Sequence, residues 1–198
     1  MNTTNNNIKY KKIFKEWNEN RTPLSYRGIY QYEPLKGEIF RQRYLPKTKK
    51  DEPFYKARHS LPKFWFCSNK GTIITVNKGY PELIIGQFDR NDRAQVSFYC
   101  EHDTHTVARE SIVALVFNDT VPCTDTARGL IEDKGIQAFR RRPDNLGVEL
   151  HHKNGYIFPE KKTLGFEIFD NIPKNCENIQ LVTRLEHNEI HNSQRAAV

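Results

Sequence analysis

Polar and apolar positions alternate in short runs through the middle and the C-terminal part of this chain. The spacing turns helical in only a few places. Phe64-Trp65-Phe66-Cys67, then Ser68-Asn69-Lys70-Gly71, then Thr72-Ile73-Ile74-Thr75 reads as strand, turn, strand. Gly79-Tyr80 opens a further pair, with Leu83-Ile84-Ile85 before a turn at Asp89 to Asp92 and a strand from Ala94 to Tyr99. Between Arg109 and Phe117, the residues Ile112, Val113, Val116 and Phe117 fall at helical spacing, and Pro122 follows. Near the N-terminus, Lys9 to Asn18 predicts a short amphipathic helix with Ile13, Phe14 and Trp17 on one side. At the other end, Val148 to Lys153 alternates as a half-buried strand does, and Ile179 to Thr183 is a second short strand. Thr183 then reads as a helix N-cap. Glu186, three residues on, completes a capping box, which predicts a helix from Arg184 to about Ser193.

These elements give an α+β fold: a β-rich N-terminal and middle module followed by a C-terminal β-β-α unit. The expected partition is a basic, Tyr- and Pro-rich N-terminal segment over 1–60, a β-rich module ending in a helix over 61–118, a basic linker over 119–147 and the C-terminal motif over 148–198. In the first segment Tyr26, Tyr30, Tyr32, Tyr44 and Tyr55 lie among basic residues; they can stack on nucleic acid or pack against the β module.

Charge changes the picture modestly. Lys plus Arg outnumber Asp plus Glu by 31 to 24, a net charge of +7 that suits a polyanionic partner but also serves ordinary solubility. The clusters are Lys11-Lys12, Lys47 with Lys49-Lys50, and Arg140-Arg141-Arg142, the last just before the first C-terminal strand. No apolar run reaches the length of about 18 residues that spans a bilayer, so no membrane association is expected. The polar start, Met1-Asn2-Thr3-Thr4-Asn5-Asn6-Asn7, has no signal-peptide core. Cys67, Cys100, Cys123 and Cys176 are widely separated with no Cys-x-x-Cys pair, and read as reduced thiols in a cytoplasmic protein. Cys100 with His102 and His105 is half of a zinc site at most.

The candidate chemistry sits at the C-terminus, where four of the seven histidines lie: His151, His152, His187 and His191. His187 and His191 stand at i and i+4 on the expected helix and share a face, so both imidazoles can reach one divalent ion. Adjacent residues on a strand point to opposite sides, so His151 and His152 are expected to do different jobs, one toward a metal and one toward a substrate. Taken singly, a His pair is more often a surface accident, a His-x-x-x-His a solvated face, and an Asn before a strand a turn residue. The three in this order, with both strands and the cap between them, carry the argument.

That string resembles the HNH, or His-Me finger, nuclease family with its ββα-metal motif, over the C-terminal quarter of the chain. The resemblance implies that His151 is the first metal ligand, His152 the general base, Asn178 the Asn that ties the loop, His187 the helix ligand and His191 an additional helix ligand. It implies a metal-dependent DNA endonuclease, sequence-selective and of restriction, homing or phage type, that leaves 5′-phosphate and 3′-hydroxyl ends. The alternative is a non-catalytic DNA-binding protein keeping the same fold. The implied cofactor is one divalent ion, Mg²⁺, Mn²⁺, Ni²⁺ or Zn²⁺. Three imidazoles suit the transition metals better than magnesium. The implied partner is double-stranded DNA. From their charge, Arg140, Arg141 and Arg142 can grip phosphates flanking the cut or form a solvated linker, and Arg184 at the helix start is a candidate phosphate contact or an ordinary surface residue. A homodimer or two sequential cuts would be needed for a double-strand break. The segment from Gly155 to Lys174 is longer than the family's usual connection. Tyr156-Ile157-Phe158-Pro159 and Gly165-Phe166-Glu167-Ile168-Phe169 are expected to form an extra hairpin in it, and Asn175 and Asn171 compete with Asn178 for the loop-tying role. The middle region is similar to the module preceding HNH motifs in phage and intron-encoded endonucleases. The matching residues are Ser68-Asn69-Lys70-Gly71, Gly79-Tyr80 and Val107-Ala108-Arg109, with Ala108 in place of the expected His.

Overall fold

The computed structural model describes residues 3–26, 30–42, 61–62, 64–91, 93–100, 103–139, 147–158 and 168–196. It is an α+β structure. Helix α1 spans Thr3–Asn20, followed by the small pair β1 Leu24–Tyr26 and β2 Tyr30–Tyr32. Four strands, β3 Phe40–Gln42, β4 Trp65–Ser68, β5 Ile73–Thr75 and β6 Glu82–Leu83, form an antiparallel sheet in chain order. A second antiparallel sheet orders β7 Gln87–Phe88, β8 Ala94–Cys100 and β9 Asp103–Ala108. Helix α2, Arg109–Val116, leaves β9 directly and is buried along its whole length.

The apolar faces expected from the spacing meet as aromatic packing. Phe14 of α1 stacks on Phe66 of β4 with ring centroids 3.8 Å apart, and Trp17 meets Phe40 edge-on at 5.4 Å. Trp65 and Phe98 join the two sheets at 5.1 Å. Tyr32 is buried and hydrogen-bonds the Glu38 carboxylate, so it packs rather than faces a ligand. Tyr44 and Tyr55 lie outside the described residues, as do Arg140, Arg141 and Arg142. His105 is a core histidine, stacked on Phe98 at 5.2 Å with Gln137 beside its Nδ1. Cys100 and His102, its partners in the zinc expectation, have side chains outside the described set.

Arg109 braces the β module from within, and Gly71 packs that module against the C-terminal part. The fully buried Arg109 donates from Nη1 to the Gly71 carbonyl at 2.9 Å, and from Nη2 to the carbonyls of Ile84 and Ile85. Gly71 itself has φ +91° in the turn after β4, where the Ser68 hydroxyl accepts from the N–H groups of Lys70 and Thr72. A Cβ at Gly71 would run into the Ile172 side chain and lie 3.2 Å from Cys176 Sγ. Gly71→Ala is therefore expected to destabilise the protein by roughly 2 kcal/mol or more, from left-handed strain and overpacking together. Denaturant unfolding checks this; a midpoint like that of the wild type would contradict the packing described.

Ile172 and Cys176 belong to helix α4, Ile168–Glu177, and this corrects the expected hairpin. Tyr156 to Phe158 carry no strand assignment, and Ile168 and Phe169 open a helix instead, while Pro159 and Gly165-Phe166-Glu167 lie outside the described residues. The reason is periodic. Ile168, Ile172 and Cys176 recur every four residues, and Ile172 and Cys176 bury against the core. The stretch 119–147, read as a linker, contains helix α3, Asp125–Lys134, and a 3-10 turn, Gly135–Phe139. Ala127, Ile131, Ile136 and Ala138 join the core there. The Arg140-Arg141-Arg142 cluster near its end and Pro122 near its start drew the reading away from its amphipathic centre. The first helix runs longer than expected, Thr3–Asn20. No described helix is long and apolar enough to cross a membrane.

Candidate metal centre

The C-terminal unit is an antiparallel pair followed by a helix. Strand β10, Val148–His152, pairs with β11, Ile179–Thr183, in the register His151 to Gln180 and His152 to Ile179. Helix α5, Arg184–Ala196, starts one residue after β11. The start is fixed by the expected capping box. Glu186 Oε2 accepts from the Thr183 N–H at 2.7 Å and the Thr183 hydroxyl at 2.9 Å, and the Thr183 hydroxyl accepts from the Glu186 N–H. The Thr124 hydroxyl donates to the same carboxylate oxygen at 2.8 Å. Desolvation pushes the Glu186 carboxyl upward, but these donors together outweigh it and hold the group below the ordinary carboxylate range. The other edge of β11 is also occupied: Leu181 donates to the Pro122 carbonyl and Thr124 donates to the Leu181 carbonyl. Both edges of β11 are thus bonded, which fixes where α5 begins.

This frame brings three histidines together. His151 on β10 and His187 and His191 on α5 offer ring nitrogens that all lie within 4.8 Å of one another. Among the described residues they are the only such cluster. His187 Nδ1 donates to Glu149 Oε2 at 2.7 Å, which fixes the tautomer and leaves Nε2 with its lone pair toward the cluster. His191 Nε2 stands 3.1 Å from His187 Nε2. Two imidazoles on one tetrahedral zinc, with bonds of 2.0–2.1 Å, hold their nitrogens about 3.3 Å apart. His151 is buried, and its Nδ1 has no hydrogen-bond partner among the described residues. A buried imidazole with an unpartnered nitrogen, its ring 5.3 and 5.5 Å from those of His187 and His191, fits a divalent ion that accepts nitrogen donors. Burial lowers the His151 pKa most, followed by the charges of His187, His191 and Lys153. The ring is therefore neutral and able to ligate at pH 7.

His152 points away from the cluster, as alternation along a strand requires. Its ring meets Tyr156 edge-on at 5.0 Å, and its Nε2 is buried without a partner among the described residues. Burial first, then the charges of Arg93, His151 and His187, push its pKa down to about 4, so the imidazole is uncharged at neutral pH. Two asparagines tie the loop after β10. Asn178 accepts from the Asn154 N–H at 3.0 Å and donates to the Gly155 carbonyl at 2.9 Å. Asn175 accepts from the Ile157 N–H at 2.9 Å and donates to its carbonyl at 2.8 Å. The competition between them resolves into a division of labour, one clamp per half of the loop. Asn171 has no described side chain.

Sequence reasoning missed Glu149. It lies two residues before His151 on the same face of β10, and that spacing was the available signal. Arg184, expected as a phosphate contact, is held beside the cluster by Glu149, its Nε 3.6 Å from Glu149 Oε1. Glu149→Ala is expected to lower the affinity for Mn²⁺ or Zn²⁺ about 10–100-fold, as loss of an outer-shell partner of a ligating histidine does. Calorimetric titration checks this, and an unchanged affinity would mean that Glu149 does not orient His187.

No known family model matches this chain, and no curated protein and no solved structure matches it either. The metal-binding character of the His151, His187, His191 cluster rests on its geometry alone.

Proposed function

We propose that this chain is an HNH-type, metal-dependent DNA endonuclease. The observation that carries the reading is the convergence of His151, His187 and His191 on a β-β-α frame whose loop is tied by Asn178. His151, His187 and His191 would hold one divalent cation. Bound there, the cation would stabilise the negative charge that develops on the scissile phosphate and the leaving oxygen. Neutral His152 takes a proton from water, whose oxygen bonds to phosphorus in line. The bond from phosphorus to the 3′ oxygen breaks, that oxygen is protonated from solvent, and the ends are 5′-phosphate and 3′-hydroxyl. Asn178 keeps the loop that follows His152 in register. Arg184, and Arg140, Arg141 and Arg142 upstream, contact phosphates flanking the cut. Double-stranded DNA, cut at selected sequences, is the proposed substrate. A double-strand break would come from a dimer or from two successive nicks.

The second reading is a protein that docks on DNA through the same fold without cutting it. Burial of His152 Nε2 is the observation that favours it, because a general base must meet solvent through the ring's other nitrogen. Incubation of the purified protein with supercoiled plasmid in Mg²⁺, Mn²⁺, Ni²⁺, Zn²⁺ or EDTA separates the two. Nicked or linear product with metal, and none in EDTA, supports the nuclease. Retarded but intact plasmid supports the docking protein, and unretarded intact plasmid removes both.

A further inference from the structure

The loop after β10 holds more than its ties to the histidine cluster require. Four hydrogen bonds from Asn175 and Asn178 clamp it at Asn154, Gly155 and both backbone groups of Ile157. The side chains on either side of Ile157 lie together, Tyr156 and Phe158, with centroids 4.9 Å apart and planes at 71°. Tyr156 is itself held from two sides, since its ring meets His152 edge-on at 5.0 Å and lies under the Arg93 guanidinium. Phe158 is 57% exposed. An apolar ring displayed on a clamped loop gains nothing from burial, and beside a candidate active site it forms a ready stacking surface. A cation stands on the ring that Phe158 packs against: Arg93, just before β8, lies over Tyr156 at 5.4 Å. The neighbouring carboxylate, Asp89, is engaged by the N–H groups of Asn91 and Arg93 and by the Gln95 amide.

We propose that Phe158 and Arg93 form a subsite for one nucleotide of the cleaved strand, with the Phe158 ring stacked on its base and the Arg93 guanidinium on its phosphate. The subsite rests on the nuclease reading above and deepens it. A base stacked on Phe158 has left its own stack. The preferred substrate therefore carries an unpaired or easily unstacked base beside the cut, as a gap, a mismatch or a single strand does; on this one point the subsite revises the nuclease reading, which took double-stranded DNA as the substrate. The β module thereby supplies a substrate contact to the C-terminal unit.

The test is equilibrium binding in EDTA of fluorescent single-stranded, gapped and uninterrupted duplex oligonucleotides, with cleavage of the same substrates in Mn²⁺. Wild type is expected to bind the single-stranded and gapped forms more tightly than the duplex. Phe158→Ala should weaken binding to those forms about 5- to 150-fold with little effect on duplex, while Phe158→Tyr keeps it. Arg93→Gln should make the slope of log affinity against log salt shallower by about 0.7 on single strands. If Phe158→Ala and Arg93→Gln bind every form as wild type does while wild type still cleaves, the subsite is wrong and the nuclease reading stands. If wild type neither binds nor cleaves any of them, the nuclease reading itself fails.

Discussion

Replacing His152 by alanine is expected to slow cleavage about 10²–10⁴-fold, the usual contribution of a general base, while metal and DNA affinity stay nearly unchanged. The division follows from strand alternation. His151 faces the cluster with His187 and His191, and His152 faces Tyr156 on the opposite side of β10. Removing the His152 ring therefore leaves all three candidate ligands in place. It takes away a neutral imidazole next to the water that would attack. Plasmid-nicking rates at saturating Mn²⁺, alongside calorimetric metal affinity, read both halves of the expectation. Wild-type rates would remove His152 from the chemistry. Loss of metal binding would show that the two histidines have exchanged roles.

The second large effect concerns the helix pair. His187→Ala is expected to weaken metal affinity by more than the roughly 10–100-fold that an outer-shell loss costs. His191→Ala should weaken it less. His187 is the better-held candidate, because Glu149 fixes its tautomer and its ring is half-buried, whereas His191 stands one turn further along an exposed face. Its distance of 3.1 Å from His187 Nε2 nevertheless suits a shared ion. Titration with Mn²⁺ or Zn²⁺ of wild type and the two variants ranks them. Loss in His187→Ala alone would reduce the site to two histidines plus water and favour magnesium. Loss in both favours a softer transition metal.

Local signals were legible where the chain itself supplies the partner. The Thr183 and Glu186 capping box, the i, i+4 histidines and the Ser68 to Gly71 turn each need only a few neighbouring residues, and each is present in the structure. What was not legible depends on residues far apart in sequence. Arg109 reads as the first residue of a helix and is a buried clamp on three carbonyls of two other turns. Thr124 reads as a loop residue, yet it caps α3 and bonds Glu186 across 62 positions. Ile168 and Phe169 misled because β-branched and aromatic residues look extended, and the burial of Ile172 and Cys176 one and two turns further on overrides that preference. At the site, the histidines were readable as a group able to share an ion, but the orientation of His187 was not, since it comes from Glu149 on β10.

The most direct test of the central claim is one titration with two readouts. Metal-free protein is titrated with Mn²⁺, and bound ion and plasmid nicking are followed on the same samples. The account predicts that both saturate together at about one ion per chain, with no nicking in EDTA. An ion that binds at full occupancy without nicking, or nicking that persists in EDTA, would contradict it.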